Sequence, residues 1–173
     1  MMGVANGEST IVPAAATASA EPIADKREQG QKVVRQNALW AMGAGAVPLP
    51  FLDVLGITAV QLRMVKQLCA VYGTGFDERA AKHVITSLMA SLGSVAVGIG
   101  LTGSLLKTVP FLGQALGAVG VSITAGAAVQ ATGKVLLHHF HGGGTLQSLD
   151  TAHLSGYLRE EFEKAKASLE ELW

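Results

Sequence analysis

Three histidines within four positions, His138, His139 and His141, form the densest group of chemistry-bearing side chains in this 173-residue chain. On a helix His138 and His141 stand one turn apart and point the same way, as a pair of metal ligands would. No cysteine or carboxylate adjoins them to complete a tetrahedral set, and His153 follows only after a glycine run. Imidazoles near a helix C-terminus are favoured by the helix dipole, which accounts for them without a metal. The segment Ala128-Val-Gln-Ala-Thr-Gly133-Lys134-Val135 looks superficially like a phosphate loop. It lacks the first glycine and the hydroxyl after the lysine, and it continues a helical pattern instead of following a strand. Cys69 is the lone cysteine and sits among apolar neighbours, so it reads as a small buried hydrophobe, and an intramolecular disulfide is impossible. No Ser/His/Asp order, carboxylate pair or dinucleotide fingerprint is recognisable. The residue types predict a chain that is not an enzyme and needs no cofactor or metal.

Composition narrows the remaining classes. Thirteen basic residues balance thirteen acidic ones, and no run of five or six cations occurs, so a nucleic-acid partner is not expected. Charged residues make up only 15% of the chain, against roughly 25% in ordinary soluble domains. Residues 84–106 and 108–133 are uncharged and are separated by the single Lys107. Each is long enough to span a hydrocarbon core, which takes about 20 apolar residues as a helix. They predict a Gly/Ala-rich apolar hairpin, dipped into a membrane or buried at the centre of a bundle.

The elements that must carry these residues are all helices. Residues 1–22, with the run Pro13-Ala-Ala-Ala-Thr-Ala-Ser-Ala20, read as a disordered tail without the ordering of a secretory signal. A helical domain is expected over residues 23–141. Its first helix passes from charged (25–35) to apolar (38–47), with Trp40 at the change, and ends at Pro48 and Pro50. The second, over 51–72, has polar residues on two sides and therefore needs neighbours on more than one face. Asp53 in its first turn suits the helix dipole. Asp77 is placed to cap the third helix, where Ser87, Ser91, Ser94, Gly98 and Thr102 make a stripe of small residues. Past Pro110 a second stripe, Gly113, Gly117, Gly120, Thr124, Ala128 and Ala131, opens with a GxxxG spacing. Two such stripes facing one another would allow the third and fourth helices to cross closely. Gly142, Gly143 and Gly144 predict a hinge over 142–150, and residues 151–173 an amphipathic helix with a stripe of Leu154, Leu158, Phe162, Ala165, Leu169 and Leu172.

Val47-Pro-Leu-Pro-Phe-Leu and Val109-Pro-Phe-Leu are each followed by Ile-Thr-Ala and then a Val-Gln pair, which suggests two related helix–Pro–helix units. The stretch Trp40-Ala-Met-Gly-Ala-Gly-Ala-Val-Pro48-Leu-Pro50-Phe-Leu-Asp53, with Thr58-Ala-Val-Gln61-Leu-Arg-Met64 downstream, resembles the bacterial YcjF-type domain of unknown function. The likeness covers roughly residues 30–140, with Trp40, Pro48, Pro50, Asp53, Thr58, Gln61 and Met64 as motif positions. It implies a helical inner-membrane protein that occurs fused behind, or encoded near, a GTPase; it implies no role for the motif residues.

Together these features predict a membrane-associated helical adaptor that works with a small GTPase. Arg79, Lys82 and Lys134 flank the open end of the hairpin and only Lys107 lies at its tip. Under the positive-inside tendency that places both termini on the cytoplasmic side of a bacterial inner membrane. The expected partners are membrane lipid, a small GTPase and further copies of the chain. The alternative is a soluble, cytoplasmic helical bundle that self-assembles in a structural role, since Ser, Thr and Gly make both apolar stretches only modestly hydrophobic.

Overall fold

The computed structural model describes the backbone of residues 14–45, 52–106 and 112–171, and the side chains of residues 23–44, 56–93 and 119–171. Its elements are α1 (Ala14–Gly45), α2 (Leu52–Tyr72), α3 (Glu78–Leu106), α4 (Leu112–His141), a short 3₁₀ turn (Leu146–Ser148) and α5 (Ser155–Glu170). No strand occurs among the described residues, so the fold is all-α, as the helical periodicity requires.

Local chemistry sets several boundaries. α1 begins at Ala14, ahead of residue 23 where the helical domain is expected to open, and so takes in the second part of the segment read as a disordered tail. Alanine has the highest helix propensity, and an Ala-rich run extends a helix more readily than its low complexity suggests. α2 ends in a Schellman turn: Gly73, at φ +69°, donates to the Ala70 carbonyl and Thr74 donates to the Cys69 carbonyl. Asp77 caps α3 as expected, its Oδ1 accepting from the Ala80 N–H at 2.7 Å.

α4 runs antiparallel to both α1 and α5. Along α1 and α4, Gly30 lies against Leu137, Val34 against Gly133 and Met42 against Gly126. Along α4 and α5, His138 faces Tyr157, Lys134 pairs with Glu161, and Leu169 reaches Gly126. α4 is the central helix, packing chiefly on α1 and α5 and more lightly on α2 and α3 among the described residues. Met64, Leu68, Val129, Leu136 and Leu158 are among the fully buried side chains of the core. The amphipathic α5 docks on its own domain through Leu158, Phe162 and Ala165. Within residues 142–150 Leu146 is buried, and the Thr145 and Ser148 hydroxyls bond across the 3₁₀ turn.

Two expectations about the apolar stretches need restating. Among the described residues no helix is long and apolar enough to cross a membrane, so residues 84–106 and 108–133 are not shown as two spans. In the described part of α4, Ala127, Val129, Ala131, Val135 and Leu136 are buried against protein, and Gln130, Thr132 and Lys134 interrupt the apolar run. Gly98, Gly113 and Gly117 lie outside the residues described beyond their helical backbone, as does most of the expected crossing between α3 and α4. Gly120 is exposed, with nothing described within 4 Å of where its Cβ would be. The close crossings that are described involve Gly126 and Gly133, and they face α1.

Antiparallel packing gathers much of the charge of α1–α4 at one end. α1 and α3 begin there, α2 and α4 end there, and residues 25–35, 77–82 and 134–141 all lie at that end. Residues 38–62 carry one charge, Asp53, and residues 84–133 carry one, Lys107. The far end of α1–α4 is thus poor in charge, whereas α5 carries Glu163, Lys164, Lys166 and Glu170 along its length, with Leu169 at the level of Gly126 and Met42, and Arg63 lies over Trp40.

Candidate functional site

The motif positions do not converge on one described pocket. Gln61 and Met64 are buried on α2: Gln61 Nε2 donates to the Met89 sulfur at 3.4 Å, and the Met64 sulfur lies beside Gly133. Asn37 on α1 binds the other side of α2, donating to Gln67 Oε1 at 2.7 Å and to the Val33 carbonyl at 2.8 Å. Trp40 points outward, 61% exposed, with the Arg63 guanidinium 5.8 Å from its ring centre. Thr58 is half-buried near the start of α2. Pro48 and Pro50 lie outside the described residues, and Asp53 is described only as helical backbone in the first turn of α2. Of the expected packing residues, Ser91 is half-buried and bonds its own Leu88 carbonyl at 2.7 Å. Its carbonyl accepts from Arg159 Nε and Nη2 at 3.2 and 3.0 Å, which ties α5 to α3.

At the polar end, α1, α4 and α5 enclose a cleft of about 510 Å³. Helical spacing builds two of its walls: Arg27, Gln31 and Arg35 stand at every fourth position on α1, and Lys134, His138 and His141 recur on one face of α4. Tyr157 and Glu161 of α5 close the third side. Glu161 is buried and bonds Lys134 Nζ at 2.5 Å, with Lys164 Nζ 3.5 Å from its other oxygen. Burial alone would raise its pKa, but Lys134 and Lys164 outweigh that and hold the carboxyl below the ordinary range. Arg27 and Arg35 have no ion-pair partner among the described residues.

His141 closes the floor of the cleft, its Nε2 2.7 Å from the Tyr72 hydroxyl of α2. Burial lowers its pKa first, and the nearby Arg27 and His138 lower it further. Burial likewise pushes the Tyr72 hydroxyl up. His138 and His141 do share this cavity, but each ring is matched to a tyrosine, Tyr157 and Tyr72. His139 turns away to the Thr145 carbonyl at 2.9 Å and Ser148 Oγ at 3.2 Å. Among the described residues no group of three or more His, Cys, Asp or Glu side chains is placed to hold a metal ion. The Cys69 thiol is fully buried, and burial raises its pKa, away from the reactive thiolate. Lys134, the lysine of the phosphate-loop look-alike, lies within α4 and is committed to Glu161. The cleft thus combines the Arg27 and Arg35 side chains with a Lys134–Glu161 ion pair and two histidines. Composition could not reveal it, because its cations come from two helices a hundred residues apart and are balanced elsewhere in the chain; the four-residue spacing from Arg27 to Arg35 was the available signal.

An all-α bundle with a polar cleft between α1, α4 and α5 is the class these features define. The chain belongs to the family described as a domain of unknown function, DUF697, which it matches over residues 14–167. It is 33% identical over 137 residues to magnetosome membrane protein 22 of Magnetospirillum gryphiswaldense, an overlap covering 79% of this chain and 70% of that protein. No solved structure matches the chain.

Proposed function

We propose that this protein is a non-enzymatic, membrane-associated helical adaptor that meets the lipid surface with the sparsely charged end of its bundle. The observation that carries this is the exposure of two adjacent large apolar side chains, Leu39 at 66% and Trp40 at 61%, on the sparsely charged second half of α1. Large apolar side chains exposed on a helix face are unfavourable in water and favourable at a headgroup boundary, where tryptophan is enriched. The relative named a magnetosome membrane protein supports the same location. In this arrangement the polar end faces the aqueous phase and offers α1, α4 and α5 to a protein partner. The resemblance to the YcjF-type domain makes a small GTPase the partner class to test first. Both ends of the α3–α4 pair on the polar side would keep the charged segments cytoplasmic.

Vesicle flotation of the full chain tests the proposal. We expect co-flotation with phosphatidylcholine/phosphatidylglycerol vesicles and a several-fold loss of it in L39S/W40S. A chain that stays in the dense fraction, or a variant that floats like the parent, overturns it. The second reading, self-assembly, draws on the same exposed Leu39 and Trp40, which a second copy could cover. Light scattering of the unlipidated chain distinguishes it: a concentration-dependent dimer or higher oligomer, lost in L39S/W40S, favours self-assembly.

A further inference from the structure

We propose that the cleft between α1, α4 and α5 is a binding site for a phosphoryl-bearing ligand, with Arg27 and Arg35 as its principal contacts. The site is tested separately from the exposed Leu39 and Trp40, which begin one turn beyond Arg35 on α1. Its lining contains three permanent cations, Arg27, Arg35 and Lys134, against one carboxylate, Glu161. That carboxylate is satisfied by Lys134 and Lys164, which leaves both guanidinium groups with their donors uncommitted. Guanidinium groups bind phosphoryl oxygens through paired, charge-assisted hydrogen bonds. Gln31, Gln130 and the Tyr157 hydroxyl add neutral donors around the same space, and Val34 and Leu137 supply an apolar patch.

Geometry also selects among phosphoryl ligands. Arg27 and Arg35 are eight residues apart, or about 12 Å along α1. A diphosphate or an extended phosphate ester suits that separation better than a lone orthophosphate. The volume, about 510 Å³, falls within the roughly 300–1,000 Å³ range of small-molecule sites. His141 supports the same conclusion from within the site: it faces Arg27 and His138 with no carboxylate beside it, a cationic pocket that an anion would relieve. The cleft lies at residues 130–141 of α4. Arg35 stands four residues from the exposed Leu39, about 6 Å along α1, so a headgroup at that face and a soluble phosphate ester are both within reach, and the vesicle arm of the test separates them.

Calorimetry of the full chain with inorganic pyrophosphate at low ionic strength is the direct test, since exposed charges are screened by salt. We expect saturable binding of one pyrophosphate per chain, weakened at least tenfold in R27Q/R35Q, whose exposed positions leave the melting temperature unchanged. E161Q, which releases Lys134 into the cleft, should tighten binding several-fold. The His141 ring-proton titration should move to higher pH when pyrophosphate is added. A parallel arm uses the L39S/W40S chain with phosphatidic acid vesicles against phosphatidylcholine vesicles. Selective, pyrophosphate-competed retention on phosphatidic acid identifies the phosphoryl source as a headgroup, and binding in solution without vesicle retention identifies it as soluble. No saturable heat and no selective retention, or affinity unaltered in R27Q/R35Q, overturns the assignment.

Discussion

Val34 of α1 and Gly133 of α4 meet so closely that a Cβ on Gly133 would stand 2.5 and 2.6 Å from the two Val34 methyls. It would also lie 3.1 Å from the Met64 sulfur. This contact is where three helices converge, and it depends on a residue with no side chain. Gly30, on the same α1 face, plays the reciprocal part against Leu137, whose Cδ2 would lie 2.5 Å from an added Cβ.

Gly133→Ala is therefore expected to destabilise the fold despite alanine's better helix propensity. The propensity gain is about 1 kcal/mol, and forcing a methyl into a packed crossing costs about 1–3 kcal/mol. Val34 is β-branched and nearly fully buried, so it has no alternative rotamer to adopt. We expect a net loss of up to about 2 kcal/mol in denaturant unfolding, with much of it recovered in V34A/G133A. A double-mutant cycle with no coupling between the two sites would refute the crossing.

Gly126→Ala should cost less, although the distances look similar. Its Cβ would meet Met42 at 2.5 Å (Cγ) and 3.1 Å (sulfur), with Leu169 Cδ1 at 3.3 Å. Met42 is unbranched and only half-buried, so it can move aside. The expected change is within about 0.5 kcal/mol of zero, given that alanine's propensity offsets most of the strain. A loss as large as that of Gly133→Ala would mean that Met42 is held rigidly.

These glycines mark where the sequence was informative and where it was not. Helical periodicity, the Asp77 cap and the apolar stripe of α5 are local features, and their expected positions agree with the structure. Small residues on α4 were equally visible, but which of them face a neighbour is decided by the rotation of α4 against α1. Gly126 and Gly133 therefore escaped notice while Gly113, Gly117 and Gly120 drew it through their spacing. Charge was read in sum, and a sum of zero hid the clustering of Arg27, Arg35 and Lys134 that only antiparallel packing creates. Gln61 and Met64 were legible as motif positions, whereas their burial against Met89 and Gly133 was not, because it is a property of α3 and α4 as much as of α2.

Glu161 links α4 to α5, and its charge should appear in the acid limb of stability. Its folded pKa is lowered, so the unfolded chain takes up the proton first as pH falls. The stabilisation is present above the ordinary carboxylate range and is lost as pH drops through the folded value. Glu161→Gln removes that dependence and costs about 1–2 kcal/mol at neutral pH, as expected for a charge-assisted contact that is only partly shielded from solvent. Denaturant melts between pH 3 and 7 check both points. Parallel pH profiles for parent and variant would show that Glu161 does not titrate against Lys134 in the folded protein.

His141 should give the opposite kind of signal, near neutral pH. It is faced by Tyr72 from α2, Arg27 from α1 and His138 from its own helix, with no carboxylate at its ring. Its folded pKa lies below that of the unfolded imidazole, about 6.5. As pH falls below that value the unfolded chain binds a proton that the folded chain resists, so stability declines until the folded ring protonates as well. Arg27→Gln removes one of the two cationic neighbours but leaves the burial, which is the larger cause. The His141 midpoint should therefore rise only part of the way to the ordinary value, and the loss of stability just below pH 6.5 should shrink in step. Ring-proton titration by NMR, with melts at matched pH, measures the two together. An unmoved midpoint in the Arg27 variant would place that guanidinium away from His141, and with it away from the floor of the cleft.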